Sequence, residues 1–364
     1  MRQAPGSSAL RAPVAFAGAS PSGCRRRRFL AGAAALALPA AGRADPLPDR
    51  LPAPLSLDSL RTLAPRSTVL QRVGDIDGGP GFSAYLVAYR HAGLRLHAMV
   101  AVPATPPPQQ GHPVLVANHG FHPDPPRYGF TPEGRDWRPG NYYRPVPAAY
   151  AAAGFLVVLP DYRGHHQSEG REFTPLRLAS AYYAEDVVAL LGGLQQLDDA
   201  DTNNVFLWGH SMGGPVTLMA LLASGRARGA SLWATAGGDA WQQAYRSGPG
   251  TRADGFDSID SPHPAIDALA REMAALGPAF VLADVDPEQH LAQLQTPLML
   301  QHALGDASTP HQGSVRMAAE LRRLRKPFAF HTVAGNNHFF VGAEFDAAVA
   351  RDVAFFRRLM VSAR

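Results

Sequence analysis

Short, continuous apolar runs alternate with segments of helical periodicity along most of this chain. The runs PVLVANHG, FLVVLPDYRG and VFLWGHS each end in small or polar turn residues, as buried parallel strands do. On either side of the third run, AYYAEDVVALLGGLQQL and PVTLMALLAS repeat apolar residues at helical spacing. This alternation predicts an α/β fold with a mostly parallel sheet and helices on both faces.

The same alternation continues to the C-terminal end. ASLWATAGG, TPLMLQHALGD and PFAFHTVAG are predicted strands, and residues 314–325 form a basic amphipathic helix. Val349, Val353 and Phe356 place an apolar stripe on a last helix. Earlier in the chain, LRLHAMVAVP alternates apolar and polar residues, which predicts an antiparallel edge region.

Two long insertions interrupt this pattern, at about residues 122–147 and 239–295. Each follows a predicted parallel strand, on the side where open α/β sheets place their sites. We therefore expect a lid-like segment near the site. Trp137, Tyr142 and Tyr143 in the first insertion are compatible with a substrate pocket and equally with a small core within the loop.

The first 44 residues are predicted to be an export signal. Arg26 and Arg27 precede Phe29 and Leu30 in the twin-arginine pattern, and small residues near Ala44 suit cleavage. The apolar run between them has about 12 residues, whereas a membrane span needs roughly 20. We expect export by the twin-arginine machinery to the bacterial periplasm or beyond, with no stable membrane anchor. A Sec signal with extra arginines and a disordered basic tail are the alternatives, and residues 45–75 are expected to form an N-terminal arm.

Removing this signal reverses the sign of the net charge. Seven of the 34 basic residues lie in residues 1–44, which contain no acidic residue; the remaining 27 stand against 30 acidic residues, a net charge of −3. The charge therefore gives no support to nucleic-acid binding. Cys24, the only cysteine, also lies in the signal, so the rest of the chain has neither disulfide nor thiolate chemistry.

NVFLWGHSMGG is the most informative motif for function. It has the form G-x-S-x-G between a predicted strand and a predicted helix. A sharp turn there lifts the hydroxyl of Ser211 above the sheet, and glycines at 209, 213 and 214 allow that turn to pack. We predict that Ser211 is a nucleophile; the alternative is a glycine-rich turn with an incidental serine.

A nucleophilic serine needs a histidine base and an acid that orients the base. In this class of fold both follow in chain order, each after a later strand. Asp306 and His338 stand at those places and are predicted to be the acid and the base. Singly, each is also compatible with a structural role, as a turn or helix cap for Asp306 and as a surface-loop histidine for His338. Asp239 and Asp284 are the other candidate acids.

The tetrahedral intermediate of such a reaction needs backbone N–H donors. We expect them from Met212, directly after the nucleophile, and from Phe121 in the turn NHGFH. Four further side chains are candidates for substrate binding: His119, Tyr142, Tyr143 and His210. The turn that contains His119 is also compatible with a purely structural role.

Six segments, taken in order, resemble the catalytic domain of the prolyl oligopeptidase group, peptidase family S9, and the related dienelactone-hydrolase-like esterases: PVLVANHG, VVLPDYRGHHQSEG, YAEDV, NVFLWGHSMGG, TPLMLQHALGDASTP and AGNNHFF. The resemblance covers roughly residues 84–362. It implies an α/β-hydrolase fold with an eight-stranded sheet and the same nucleophile, acid and base. It further implies that Asp161, Arg163 and Gly164 are structural residues.

The chain departs from this family at two positions and in two larger features. His166 and Phe121 stand where glycine is usual. The N-terminal segment is too short for the propeller of the family's peptidases. No paired-glutamate motif for a peptide's amino end is visible. These departures favour an esterase over a peptidase.

The sequence thus predicts a serine hydrolase that cleaves a carboxylic ester or amide through an acyl-enzyme intermediate. The alternatives are an S9-like peptidase acting on short peptides and a non-catalytic binding protein with the hydrolase fold. No cofactor or metal is expected, because adjacent His165 and His166 cannot converge on one ion and the other histidines lack ligand spacing.

Overall fold

Nine strands form one sheet in the computed structural model, which describes residues 56–64, 66–121, 143–170, 179–236 and 285–362. Their order across the sheet is β1-β2-β3-β5-β4-β6-β7-β8-β9. The strands are β1 (Gln71–Gly79), β2 (Phe82–His91), β3 (Leu94–Pro103), β4 (His112–Asn118), β5 (Leu156–Asp161), β6 (Ala200–His210), β7 (Gly229–Trp233), β8 (Leu298–Ala303) and β9 (Phe328–Val333). Strands β1 to β3 pair antiparallel with one another, and β3 pairs antiparallel with β5. From β5 to β9 every neighbouring pair is parallel.

Helices cover both faces of this sheet. They are α1 (Leu57–Leu63), α2 (Pro145–Ala152), α3 (Ala179–Leu191), α4 (Gly213–Ser224), α5 (Gln312–Arg323) and α6 (Ala343–Leu359), with short 3-10 helices at Leu194–Gln196 and Pro287–Gln293. Side chains of α1, α3, α4 and α5 share one buried apolar cluster with the sheet, and those of α2 and α6 share a second. The central strands are therefore buried on both faces, which explains why their sequences are continuously apolar.

The α/β-hydrolase architecture expected from the sequence is confirmed, with nine strands where eight were expected. Strand β1 begins at Gln71, inside the segment expected to be an N-terminal arm, and α1 precedes it. The residues of β1 are largely exposed, so no apolar periodicity marks this strand. Backbone pairing with β2 forms it instead. Strand β3 is antiparallel as predicted but lies third from the edge, because β1 and β2 continue the sheet beyond it.

The predicted structural role of Arg163 has a clear basis in the loop after β5. Its guanidinium is fully buried and donates hydrogen bonds to Asp186 and to Glu185 on α3. Burial lowers the pKa of Arg163, but the two carboxylates reverse this and hold it above its usual value. Gly164 has a φ of +77°, and His166 has a φ of +46°, in the left-handed region that favours glycine. His166, which stands where the family usually has glycine, therefore adopts a backbone conformation that a glycine would adopt freely.

A buried carboxylate joins the sheet to α2 and α6, the two helices that share the second apolar cluster. Asp352 on α6 accepts hydrogen bonds from Tyr150 Oη, Ser231 Oγ, Trp233 Nε1 and Gln301 Nε2, at 2.6 to 2.8 Å. Burial raises the pKa of Asp352 to about 6, although these four donors oppose the shift. One side chain thereby connects α2, β7 and β8 to the last helix.

Among the described ranges, no helix combines the length and apolar character that a membrane span requires. Residues 1–44, which were predicted to be an export signal, lie outside those ranges, as do Trp137, Tyr142 and most of both insertions.

Candidate active site

Ser211 lies in the turn between β6 and α4, at the carboxyl edge of the parallel strands. Its φ is +55°, in a region that costs a non-glycine residue about 1–3 kcal/mol. The turn is held by three backbone hydrogen bonds: Ser211 N donates to Trp233 O at 3.0 Å, and Ser211 O accepts from Gly214 N at 2.9 Å and Ala236 N at 3.0 Å. The neighbouring strand and the following helix thus over-determine a conformation that the serine would not adopt alone.

Glycine is sterically required on both sides of this serine. A β-carbon at Gly213 would overlap the backbone oxygen of Asn118 on β4. A β-carbon at Gly209 would overlap the backbone oxygen of Gly213 and the hydroxyl of Thr217. The start of α4 therefore packs directly against the ends of β4 and β6, as the sequence motif predicts.

Asp306 and His338 are in contact. Asp306 follows β8 and His338 follows β9, and His338 Nδ1 lies 2.7 Å from Asp306 Oδ2. The Asp306 side chain is fully buried, whereas a quarter of the His338 side chain is exposed. Two residues 32 positions apart in the chain are therefore arranged as a buried acid and a partly accessible histidine.

Asp306 accepts several hydrogen bonds besides that of His338. Oδ1 accepts from the backbone N–H groups of Ser308 and Thr309, at 2.8 and 3.0 Å, and Oδ2 accepts from Thr309 Oγ1 at 3.0 Å. Burial alone would raise the pKa of this carboxyl, but bonds from His302, His338 and Thr309 hold it well below its usual range. Asp306 is therefore ionised at neutral pH.

His302 is a member of this cluster that sequence reasoning missed. It lies on β8, fully buried, with Nε2 at 2.7 Å from Thr309 O and 3.3 Å from Asp306 Oδ2. Its Nδ1 lies 2.7 Å from Ser314 Oγ on α5. The only signal in the sequence is a histidine four residues before the acid, near the end of a mostly apolar strand.

The structure connects the serine turn to the histidine loop through the residue before Ser211. His210 Nε2 donates to His338 O at 2.9 Å, and the two imidazole rings are 4.6 Å apart. Among the described residues, Ser211 Oγ and His338 make no direct hydrogen bond. In unliganded hydrolases this bond is often long and shortens only when substrate is bound.

The two backbone turns expected to hold an oxyanion are adjacent. A β-carbon on Gly120 would lie 2.8 Å from Ser211 Cβ, so the turn after β4 approaches the serine closely. Gly120 N–H donates to Tyr143 Oη at 2.7 Å, so this amide is already used. Within the described ranges, no hydrogen bond from Met212 N–H is present. Phe121 itself is half exposed.

Three of the expected substrate-binding side chains are buried in the walls of the site. His119 packs against Tyr162 with ring centroids 4.2 Å apart, and Tyr143 lies 2.5 Å from His210 through Oη and Nδ1. The fourth, Tyr142, lies outside the described residues, as do Asp239 and Asp284. In the described part of the chain, no group of three or more potential ligands is arranged to hold a metal ion.

Solved structures with the same architecture include both esterases and peptidases. Acetyl xylan esterase 1 from Thermoanaerobacterium sp. JW/SL YS485 aligns with a TM-score of 0.56 at 16% identity, over 84% of this chain and 95% of that chain. Acylaminoacyl peptidase from Pyrococcus horikoshii aligns at 0.55 and 16%, over 78% and 43%. Dipeptidyl peptidase 4 from Porphyromonas gingivalis aligns at 0.53 and 20%, over 76% and 35%. At these identities the similarity shows the fold.

Sequence comparison assigns the family. An uncharacterized 31.7 kDa Escherichia coli protein from the traX-finO intergenic region is 32% identical over 104 residues, which are 28% of this chain and 30% of that protein. The matched part is therefore less than a third of this curated relative. Residues 141–362 match the prolyl oligopeptidase family, and they include the serine turn, the acid and the histidine. Because this match covers more than half of the 364 residues, the chain belongs to the prolyl oligopeptidase family.

Proposed function

We propose that this protein is a serine hydrolase that cleaves carboxylic esters through an acyl-enzyme intermediate, with Ser211 as nucleophile, His338 as base and Asp306 as acid. The observation that carries the proposal is the 2.7 Å contact between His338 Nδ1 and Asp306 Oδ2, in a loop that is hydrogen-bonded to the residue before a serine held at a φ of +55°. Nucleophilic catalysis requires a serine and a histidine base that is oriented by an acid.

In the proposed reaction, Ser211 Oγ attacks the substrate carbonyl carbon while His338 Nε2 takes the hydroxyl proton. The N–H groups of Met212 and Phe121 stabilise the oxyanion that forms. The intermediate collapses as His338 gives its proton to the leaving alcohol, which leaves an acyl group on Ser211. Water, deprotonated by the same histidine, then releases the acid and restores the serine.

The electrostatics of Asp306 suit this cycle. Because its pKa is held well below the usual range, the carboxylate stays ionised while His338 becomes a cation. An ionised partner at Nδ1 keeps the proton on that nitrogen and leaves Nε2 free to accept the proton of Ser211. Asp306 itself exchanges no proton in this proposal.

The bond type is tested by comparing matched substrates. We place esters first, because the chain shows no motif that selects peptides and aligns with 95% of the acetyl xylan esterase structure. An S9-like peptidase acting on short peptides is the second candidate, and the family match favours it. Rates are measured on an acyl ester and on the amide of the same acyl group. Amide cleavage as fast as ester cleavage would refute the esterase proposal.

The nucleophile is tested by covalent labelling. The purified protein without residues 1–44 is treated with a fluorophosphonate probe, and the adduct is located by mass spectrometry. We expect the adduct on Ser211 in the wild type and no adduct in Ser211→Ala. A folded wild-type protein that takes no label would refute the hydrolase proposal and support a non-catalytic binding protein.

We further propose that the precursor is exported by the twin-arginine machinery, on the pattern of Arg26, Arg27, Phe29 and Leu30. Replacing both arginines with lysine is expected to retain the protein inside the cell. Unchanged export of that variant, together with dependence on the Sec pathway, would refute this assignment.

A further inference from the structure

A chain of hydrogen bonds passes through His210, the residue before Ser211. Gly120 N–H donates to Tyr143 Oη at 2.7 Å, and Tyr143 Oη lies 2.5 Å from His210 Nδ1. His210 Nε2 in turn lies 2.9 Å from His338 O. Three loops that are distant in sequence are thereby connected: the turn after β4, the serine turn and the loop after β9.

The donors and acceptors in this chain can be arranged in only one way. A carbonyl oxygen accepts, so His210 Nε2 must carry a proton and donate to His338 O. Burial, with the nearby imidazole of His338, lowers the pKa of His210 to about 3. His210 is therefore neutral at working pH, its Nδ1 is an acceptor, and Tyr143 must donate its hydroxyl proton to it.

The position of the chain relative to the reacting groups gives it a role. Gly120 immediately precedes Phe121, the expected oxyanion donor, and His338 is the expected base. His210 immediately precedes Ser211. Both Tyr143 and His210 are buried, with 5% and 0% of their surface exposed, and the hydroxyl and both ring nitrogens are bonded to other protein atoms. A shift at either link would move the oxyanion turn relative to the base.

We propose that Tyr143 and His210 are positioning residues that fix the oxyanion turn and the loop of the base at one separation. This inference rests on the proposed function. In this proposal Tyr143, which lies just before α2, supports the site and does not contact the substrate. Tyr143 and His210 act as one unit, because in this chain of bonds the Tyr143 hydroxyl joins Gly120 to the His210 imidazole.

The first test is Tyr143→Phe, which keeps the ring and removes the hydrogen bonds of the hydroxyl to Gly120 and His210. We expect kcat on p-nitrophenyl acetate to fall about 10- to 100-fold, the range expected when reacting groups are misplaced by up to 1 Å. KM should change less than twofold, since no substrate contact is lost. The rate of fluorophosphonate labelling at Ser211 should fall in parallel with kcat.

The matched control is Tyr150→Phe. Tyr150 is also a buried tyrosine with a hydroxyl bonded to another side chain, Asp352 at 2.6 Å, but it lies outside the site. Loss of the Tyr150 hydroxyl should lower the unfolding temperature and leave kcat of the folded protein unchanged. This comparison separates a loss of stability from a loss of positioning.

A second variant tests whether the two residues act together. In His210→Phe, an aromatic ring is kept, and both the donor toward His338 O and the acceptor for Tyr143 are removed. We expect kcat to fall by at least the same factor, and Tyr143→Phe to add little in the His210→Phe background. This variant also keeps the proposal testable if Tyr143→Phe does not fold.

The outcomes are distinguishable. Wild-type protein that takes no label at Ser211 would overturn the proposed function and this inference with it. Labelled wild type with unchanged kcat in Tyr143→Phe would overturn the inference alone. Full additivity of the two substitutions would likewise overturn the coupled role of Tyr143 and His210.

Discussion

Replacing Asp306 with asparagine tests whether this carboxylate fixes the tautomer of His338. Asp306 Oδ1 accepts from the backbone N–H groups of Ser308 and Thr309, which cannot reverse their direction. The amide oxygen of asparagine must therefore take the place of Oδ1. Its NH₂ group then takes the place of Oδ2, 2.7 Å from His338 Nδ1. Two N–H donors cannot pair at that distance.

The imidazole relieves this conflict by moving its proton. His338 then carries the proton on Nε2 and accepts from the new NH₂ group at Nδ1, so it can no longer deprotonate Ser211. The corresponding change in a well-characterised serine protease lowers kcat about 10⁴-fold. The same factor here equals about 5 kcal/mol of activation free energy. The geometry of the loop should persist, because both backbone N–H groups keep their acceptor.

The assay is the steady-state kcat on p-nitrophenyl acetate, with the unfolding temperature measured on the same samples. Asp284→Asn, which changes another candidate acid, is the matched control and is expected to retain wild-type activity. An Asp306→Asn variant that keeps more than one-tenth of wild-type kcat would refute the reasoning, since the residue would not then set the tautomer. Loss of activity in Asp284→Asn alone would identify a different acid.

Three further predictions concern the framework of the site. Gly213→Ala is expected to prevent folding, or fluorophosphonate labelling of Ser211, because the added β-carbon overlaps a backbone oxygen of β4. Gly225→Ala is the control: its β-carbon enters open space at a φ of +59°, so the unfolding free energy measured by chemical denaturation should fall by only about 1 kcal/mol. Arg163→Met should cost about 3–5 kcal/mol because it leaves the buried carboxylate of Asp186 without its cation, whereas Arg323→Met, in an exposed pair, should change the unfolding free energy little; equal losses would contradict this account. The pKa of Asp352 is about 6 in the folded protein, above its usual 3.8, so the folded state binds a proton between these pH values that the unfolded state has released. The unfolding free energy, relative to that of Asp352→Asn, should therefore fall by up to about 3 kcal/mol as the pH rises from about 4 to about 6. Parallel pH profiles of stability for the two proteins would disprove this prediction.

Local patterns were sufficient for the parts of the fold in which strand and helix are marked by their own residues. The strands β4 to β9 and the helices α3 to α6 were all recognisable, because burial on two faces or on one stripe leaves a periodic signature. Strand β1 was missed, since it is exposed and is formed by backbone pairing with β2. His302 was missed for a related reason, because nothing local distinguishes a histidine that contacts Asp306 from one that fills a strand.

The sequence by itself determined the architecture and the order of the candidate groups Ser211, Asp306 and His338, because a parallel sheet places the ends of successive strands at one edge. Only the tertiary structure decided how these groups are supported. The contacts of Tyr143 with Gly120 and His210 join residues 23 and 67 positions apart in the chain. No periodicity records such contacts, because hydrogen bonds between distant loops depend on where the sheet brings those loops, and that placement results from the packing of the whole core.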